Sequence, residues 1–94
     1  MGGFVKTFNW DNEKNEWLKN CRNITFEEVT LYISSQHLLD IVENENYKDQ
    51  KIFVIEIENY VYLVPFVENE KEIFLKTVYP SRKATKVYLG NKDG

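Results

Sequence analysis

The chain has 94 residues, of which 43% are hydrophobic and 29% are charged, and its formal net charge is −3. This length and composition predict one globular domain over residues 1–94, with loose tails at 1–3 and 90–94. No run of about 18 apolar residues is present and the N-terminus lacks a secretory pattern, so we expect neither a transmembrane helix nor a signal peptide.

Cysteine and histidine are each present once, as Cys21 and His37. A single cysteine cannot form an internal disulfide, which indicates a reducing compartment and predicts a cytoplasmic protein. One histidine and one cysteine do not supply the four ligands of a zinc site. We therefore expect no metal and no cofactor.

The first third of the chain predicts a short strand and a helix. Residues 4–8 alternate apolar and polar side chains, as a strand or an extended arm does. Asp11 can cap a helix that runs to about Arg22, and Asn23 is a suitable stop. The apolar residues of this helix form a narrow stripe, composed of Trp17, Leu18 and Cys21.

A second helix is predicted directly after the first. Thr25 and Glu28 have the spacing of a capping box, in which each side chain binds the other residue's backbone N–H. The helix is expected to run to about Ser35. Its apolar residues recur at helical spacing, namely Phe26, Val29 and Ile33.

The remainder predicts a sheet and a terminal helix. A short strand is expected at 38–42, and three stronger strands at 52–57, 60–67 and 73–79, which short connections join into a meander. Glu58 and Asn59 predict a turn between the first two strong strands. Pro65 predicts an edge, a bulge or a last pairing, because proline cannot donate to a ladder. Ser81 can cap a helix over 82–89.

These elements predict an α+β fold with two N-terminal helices packed on a small, mainly antiparallel sheet and a short C-terminal helix. The helical spacing places five apolar residues against one face of the sheet, namely Trp17, Leu18, Phe26, Val29 and Ile33.

Charge is unevenly distributed along the chain. Residues 1–70 contain 6 basic and 13 acidic residues, whereas residues 71–94 contain 6 basic and 2 acidic residues. On the predicted terminal helix, Arg82 and Lys86 are one turn apart and lie at an end where unpaired N–H groups favour anions. This segment is therefore a candidate anion-binding surface, with a merely solvated basic helix as the alternative.

Two runs of residues, one near each end of the chain, are distinctive. Residues 8–11 read Phe-Asn-Trp-Asp, residues 14–15 read Lys-Asn, and residues 24–28 read Ile-Thr-Phe-Glu-Glu. Residues 74–86 read Phe-Leu-Lys-Thr-Val-Tyr-Pro-Ser-Arg-Lys-Ala-Thr-Lys. These runs resemble BrnT-type toxins of bacterial toxin–antitoxin pairs, and the second is similar to the last strand of that family followed by its Ser-x-Arg/Arg-Lys-Ala-Thr run. Between the first two helices the family often has Lys-His-Gly, where residues 19–23 here read Lys-Asn-Cys-Arg-Asn.

The resemblance implies a RelE-like fold, metal-independent ribonuclease activity that inhibits translation, and neutralisation by a small antitoxin. In such a reaction a ribose 2′-OH attacks the neighbouring phosphate, so charge must be stabilised and protons moved. Arg82 is expected to bind the scissile phosphate. The other expected catalytic residues are Lys76 for its charge, and Tyr79, Tyr88 or His37 for protons. RNA is also expected to contact Lys83 and Lys86.

Two other functions remain open at this point. One is a non-catalytic interaction module of the same fold, and the other is a binding protein for a different acidic partner. An antitoxin is expected to cover the basic surface, and the residues expected to contact it are Tyr60, Tyr62, Arg82 and Lys86.

Overall fold

The computed structural model describes residues 6–90 and shows an α+β fold. Three helices and six strands follow one another in the order β1 (Thr7–Asn9), α1 (Asn12–Arg22), α2 (Phe26–Ile33), β2 (Leu38–Glu43), β3 (Lys51–Ile57), β4 (Tyr60–Glu68), β5 (Glu72–Leu75), β6 (Tyr79–Pro80) and α3 (Arg82–Leu89). The predicted bounds of the terminal helix are therefore confirmed. Of the strand expected at 4–8, residues 4 and 5 lie outside the described residues.

The sheet is mixed rather than an antiparallel meander alone. Its strands lie in the order β1-β5-β4-β3-β2, and β6 pairs with β4 beside the end of β5. The strand β1 runs parallel to β5, with Phe8 opposite Ile73, while the other pairings are antiparallel. The strand β1 lies at one edge of the sheet and β2 at the other edge. The helices α1 and α2 form the connection between these two strands.

Helices cover both faces of the sheet, which corrects the predicted layout of helices on one face. Phe53 and Ile55 of β3 join a hydrophobic cluster with α1 and α2. Val54 lies between them in sequence and therefore points to the opposite face, where it lines a groove with Ala84 of α3. We call these two surfaces the α1/α2 face and the α3 face.

Local capping sets the ends of the first two helices as predicted. The Asp11 carboxylate accepts a hydrogen bond from the Glu13 N–H at 3.1 Å, and Asn23 ends α1 in the left-handed conformation at φ 56°. The Thr25 hydroxyl accepts from the Glu28 N–H at 3.2 Å, and the Glu28 carboxylate accepts from the Thr25 N–H at 3.1 Å. This reciprocal pair confirms the capping box.

The core of the α1/α2 face contains four of the five predicted helix residues. Leu18, Phe26, Val29 and Ile33 are all buried. Trp17 is 43% exposed, so its predicted burial is wrong. Its indole instead lies outside the core beneath two cations, as described below.

The β3–β4 turn requires left-handed backbone at both of its central residues. Glu58 has φ 51° and Asn59 has φ 66°, as expected for a two-residue hairpin turn. Asparagine adopts this conformation more readily than glutamate does. The predicted turn is confirmed, and Glu58 is the more strained of its two residues.

Pro65 lies inside β4, which is a central strand, so the edge is wrong among the three predicted positions, whereas the end of a pairing fits because the β4–β5 ladder stops at Phe66 beside it. The Pro65 carbonyl accepts from the Lys76 N–H at 2.8 Å. Because the N and O atoms of a strand residue point to the same side, the missing N–H of Pro65 also faces Lys76 and not β3. The ladder with β3 therefore loses no donor.

The predicted strand over 73–79 is divided in two. It ends at Leu75 and resumes as β6 at Tyr79, with residues 76–78 outside the ladder. This interruption lies beside Pro65, where β4 offers no N–H to a neighbouring strand. Val78 lies in this segment between β5 and β6, and its side chain is fully buried in the core.

Candidate nucleic-acid interface

The start of α3 is fixed to β4 by the Ser81 N–H, which donates to the Val61 carbonyl at 2.9 Å, and by the Thr85 hydroxyl. The Ser81 hydroxyl caps the helix by accepting from the Ala84 N–H at 3.1 Å. The Thr85 hydroxyl accepts from the Val61 N–H at 2.9 Å and donates to the Ser81 carbonyl at 2.7 Å. The serine and threonine of the family-like run therefore position the helix, a role that sequence reasoning did not assign to Thr85.

Thr85→Val is expected to destabilise the domain by about 1–3 kcal/mol, because the N–H of the fully buried Val61 loses its acceptor. Valine keeps the branched shape, so packing is nearly unchanged. Urea denaturation measures the difference. Thr30→Val is the matched control, since it removes only a hydrogen bond from a helix hydroxyl to the Glu27 carbonyl. Equal losses in the two variants would contradict the assigned role of Thr85.

Tyr88 fixes the other end of α3 to the sheet. Its hydroxyl donates a hydrogen bond to the Asp40 carboxylate of β2 at 2.8 Å. This bond to a carboxylate, helped by partial burial, raises the pKa of Tyr88 above its usual value. Tyr88 therefore stays a neutral phenol whose proton is held by Asp40, and this geometry argues against the proton-transfer role that was expected of it.

Three cations lie on the exposed surface of this fixed helix. Arg82, Lys83 and Lys86 are exposed, and none of them forms an ion pair within residues 6–90. Arg82 occupies the first helical position, and Lys86 lies one turn further along the same side. The first turn of α3 contains no acidic residue. The positive charge is thus uncompensated where the helix dipole also favours an anion.

Lys76 lies on the segment between β5 and β6. Its ammonium group is 5.5 Å from the centre of the Phe74 ring. The residue is exposed. The described contacts do not join it to the cations of α3.

A groove of about 340 Å³ runs along α3 on the α3 face. Lys83 and Tyr79 line it, together with Glu43 and Glu45 of the opposite rim. Apolar side chains of the sheet also line it, namely Val42, Ile52, Val54 and Leu63. Tyr79 is half-buried there beside its ladder partner Leu63. The groove offers an apolar surface flanked by charges of both signs.

His37 lies away from this helix. Its ring contacts Tyr32 of α2 edge to face, with the ring centres 5.4 Å apart. Its backbone carbonyl accepts from the Glu56 N–H at 3.0 Å. Since α2 covers the face opposite α3, the structure does not bring His37 together with Arg82 by any described contact. The expectation that these two residues act on one phosphate gains no support from this placement.

Tyr60 and Tyr62 form a pair at the end of β4. Their rings meet edge to face with centres 6.2 Å apart. Tyr60 is exposed, whereas Tyr62 is half-buried and packs against the core. Tyr62 is also opposite Pro80 in the β4–β6 ladder, which places the pair at the end of the sheet where α3 begins.

A second pocket, of about 290 Å³, opens at that end on the α1/α2 face. The residues that line it are Arg22, Asn23, Ile24, Glu28, Tyr32, Ile57, Glu58 and Tyr62. Sequence reasoning did not select Arg22. Arg22 is the last residue of α1, and no local pattern in the sequence indicated its contact with Val78, which is 56 residues away.

Comparison of the chain with protein-family models, with curated proteins and with solved structures found no match. Within residues 6–90, no group of three or more histidine, cysteine, aspartate or glutamate side chains is placed to hold a metal ion. No helix in the described part of the chain is long and apolar enough to cross a membrane. Cys21, which belongs to the predicted apolar stripe of the first helix, is exposed and not part of the core.

Proposed function

We propose that this protein is the toxin component of a bacterial type II toxin–antitoxin pair, with a RelE-like fold, and that it binds and cleaves RNA. The observation that carries the proposal is the exposed cationic row of Arg82, Lys83 and Lys86. It lies on a helix that the Ser81 N–H and the Thr85 hydroxyl join to β4 by hydrogen bonds.

Rigid placement matters for cleavage because the transition state is an anion with more negative charge than the substrate. The anchored helix fixes the backbone position of the exposed Arg82, so its guanidinium is presented where it can stabilise that charge. Arg82 occupies the first position of α3 and can bind the phosphate through two parallel N–H bonds. Lys86, one turn away, adds a second positive charge, and Lys83 extends the field towards the groove.

Proton transfer requires a second group near the phosphate. Tyr88 is bound to Asp40 and His37 lies on the other face, so neither is well placed. Tyr79 is two residues before the helix cap and lines the groove with Lys83. We therefore assign proton transfer to the Tyr79 phenol, which either donates a proton to the leaving group or accepts one from the 2′-OH.

Expression of the protein in bacteria tests the proposal directly. We expect growth arrest, with cellular RNA fragments that end in 2′,3′-cyclic phosphate or its hydrolysis product. These ends are the signature of attack by the ribose 2′-OH. Unaffected growth and intact RNA would contradict the ribonuclease function and favour a second candidate.

The second candidate is a non-catalytic module that binds a small protein. The groove beside α3 favours it, because an apolar floor next to Lys83 suits an amphipathic partner helix. Under either function an antitoxin is expected to approach the cationic side of α3 with acidic residues. Contact with Tyr60 and Tyr62 as well requires the antitoxin to reach round the end of the sheet, because Tyr62 packs on the α1/α2 face.

Reversing charge on α3 tests this partner surface. Arg82→Glu combined with Lys86→Glu is expected to weaken binding of the protein encoded by the neighbouring gene about tenfold or more. It should also flatten the salt dependence, since opposite charges at this surface mainly steer association. Binding is measured by calorimetry at several salt concentrations.

A matched control separates surface charge from net charge. Lys48→Glu combined with Lys71→Glu makes the same change at two exposed loop positions. We expect it to leave the affinity within about twofold. Equal weakening by the two double variants would place the partner on another face.

A further inference from the structure

We propose that the pocket around Arg22 is a binding site for a phosphate group attached to ribose. The inference concerns the α1/α2 face and goes beyond the proposed role of α3. It begins from the way in which the guanidinium of Arg22 is held.

Two contacts fix the Arg22 guanidinium before any ligand binds. Its Nη1 donates to the Val78 carbonyl at 2.8 Å, and its Cζ lies 5.0 Å from the centre of the Trp17 ring. Lys14 approaches the same ring at 4.4 Å. A side chain that is already ordered loses little conformational entropy on binding, which favours affinity. The exposed indole of Trp17 is thereby explained as a support for Arg22.

The charge of Arg22 is not neutralised within residues 6–90. The ion pairs described there join Lys6 and Lys51 to Glu68. Glu28 and Glu58 line the same pocket, yet neither lies within 4.0 Å of the Arg22 nitrogens. A guanidinium has five N–H donors, and Val78 takes one of them. The remaining donors are available to an anion in the pocket.

The other polar groups indicate what surrounds that anion. Tyr32 and Tyr62 line the pocket, and neither hydroxyl makes a hydrogen bond within residues 6–90. Glu28, which already accepts from the Thr25 N–H, and Glu58 add carboxylates, which accept hydrogen bonds and repel an anion that approaches them directly. The pocket therefore suits a ligand whose anionic group contacts Arg22 while separate hydroxyl donors contact the carboxylates. A ribose phosphate has this chemistry, whereas inorganic phosphate has no hydroxyl donors apart from its charged group.

The size and place of the pocket fit one nucleotide. Its volume of about 290 Å³ is at the small end of ligand pockets. Tyr62 is opposite Pro80, and Pro80 lies two residues before Arg82. The pocket and the start of α3 therefore lie at the same end of the sheet on its two faces, and the experiment tests whether one RNA strand reaches both. A free nucleotide can also occupy the pocket, and the experiment distinguishes these two sources.

Titrations followed by ¹H–¹⁵N NMR test the proposal on the whole chain. The probes are uridine 5′-monophosphate, inorganic phosphate and a tetranucleotide of RNA. The nucleotide is expected to shift the Arg22 Nε–H and Trp17 indole N–H signals with saturation. Arg22→Gln should weaken its binding about tenfold or more, since a hydrogen bond to a charged group is lost.

Lys14→Gln is the matched control, because it removes the other cation from the Trp17 ring and does not line the pocket. It should change the affinity by less than about twofold. Glu58→Gln should strengthen inorganic phosphate binding and reduce the preference for the nucleotide over phosphate. If Arg22→Gln fails to fold, Arg22→Lys keeps the charge without the planar fork and should still weaken binding.

The titration with the RNA tetranucleotide identifies the source of the ligand. Tetranucleotide binding that is tighter than nucleotide binding, with the gain lost in Arg82→Ala, supports an RNA strand that spans both sites. Equal affinities support a free nucleotide. The absence of saturable shifts with every probe, or unchanged affinity in the folded Arg22 variants, overturns the proposal. Either result leaves growth arrest through Arg82 unaffected, so the two proposals fail separately.

Discussion

Arg82→Ala is expected to reduce RNA cleavage about a hundredfold and to relieve growth arrest. The reason is that removal of one fixed donor to a developing oxyanion costs roughly 3 kcal/mol of transition-state stabilisation. The side chain is exposed and forms no ion pair within residues 6–90, so the folded domain does not depend on it. Initial rates of cleavage of a defined RNA, with thermal unfolding of the same samples, measure the two effects separately.

Controls distinguish local chemistry from loss of net charge. Lys48→Ala removes one positive charge from an exposed loop between β2 and β3 and should leave cleavage within about twofold. Arg82→Lys keeps the charge and loses the planar fork, so its rate should lie between those of wild type and Arg82→Ala. A full rate in Arg82→Ala would remove this residue from the mechanism.

Local signals predicted the helices well. Asp11, Thr25 and Ser81 each cap a helix through a hydrogen bond to an N–H two or three residues away. Such bonds depend only on neighbouring residues, so the pattern of the sequence contains them. Asn23 and Asn59 tolerate left-handed backbone for the same local reason, and both occur at the predicted chain reversals.

Long-range geometry explains the errors in the sheet. Whether Pro65 disturbs a central strand depends on which side its nitrogen faces, and that is set by the pairing with β3. The division of β5 from β6 follows from the same orientation. Neither the fit of Pro65 in a central strand nor the division of β5 from β6 can be deduced from the proline alone. A shift of register by one residue would turn the Pro65 nitrogen to the other neighbouring strand.

The candidate sites show the same division between local and distant information. The cations of α3 were predicted because they lie within five residues of one another in the sequence. Arg22 was not, because its partner Val78 is 56 residues away and its pocket forms only when β4 meets both helices. Thr85 was missed for a similar reason, since its acceptor role requires β4 beside α3.

Phe26→Ala is expected to cause the largest loss of stability, about 3–5 kcal/mol. Phe26 has 0% exposure, and its ring stacks on Trp10 with centres 5.6 Å apart. Alanine leaves a cavity at the junction of α1, α2 and the sheet, and the capped start of α2 restricts its collapse. For a domain of this size the unfolding midpoint should fall by more than about 10 °C.

Leu31→Ala is the matched control because Leu31 is on the same helix and is 71% exposed. It should change the free energy of unfolding by less than about 0.5 kcal/mol. Urea denaturation followed by tryptophan fluorescence gives both values, and Trp10 also reports the loss of its stacking partner. Similar stabilities of the two variants would mean that α2 is not anchored through Phe26.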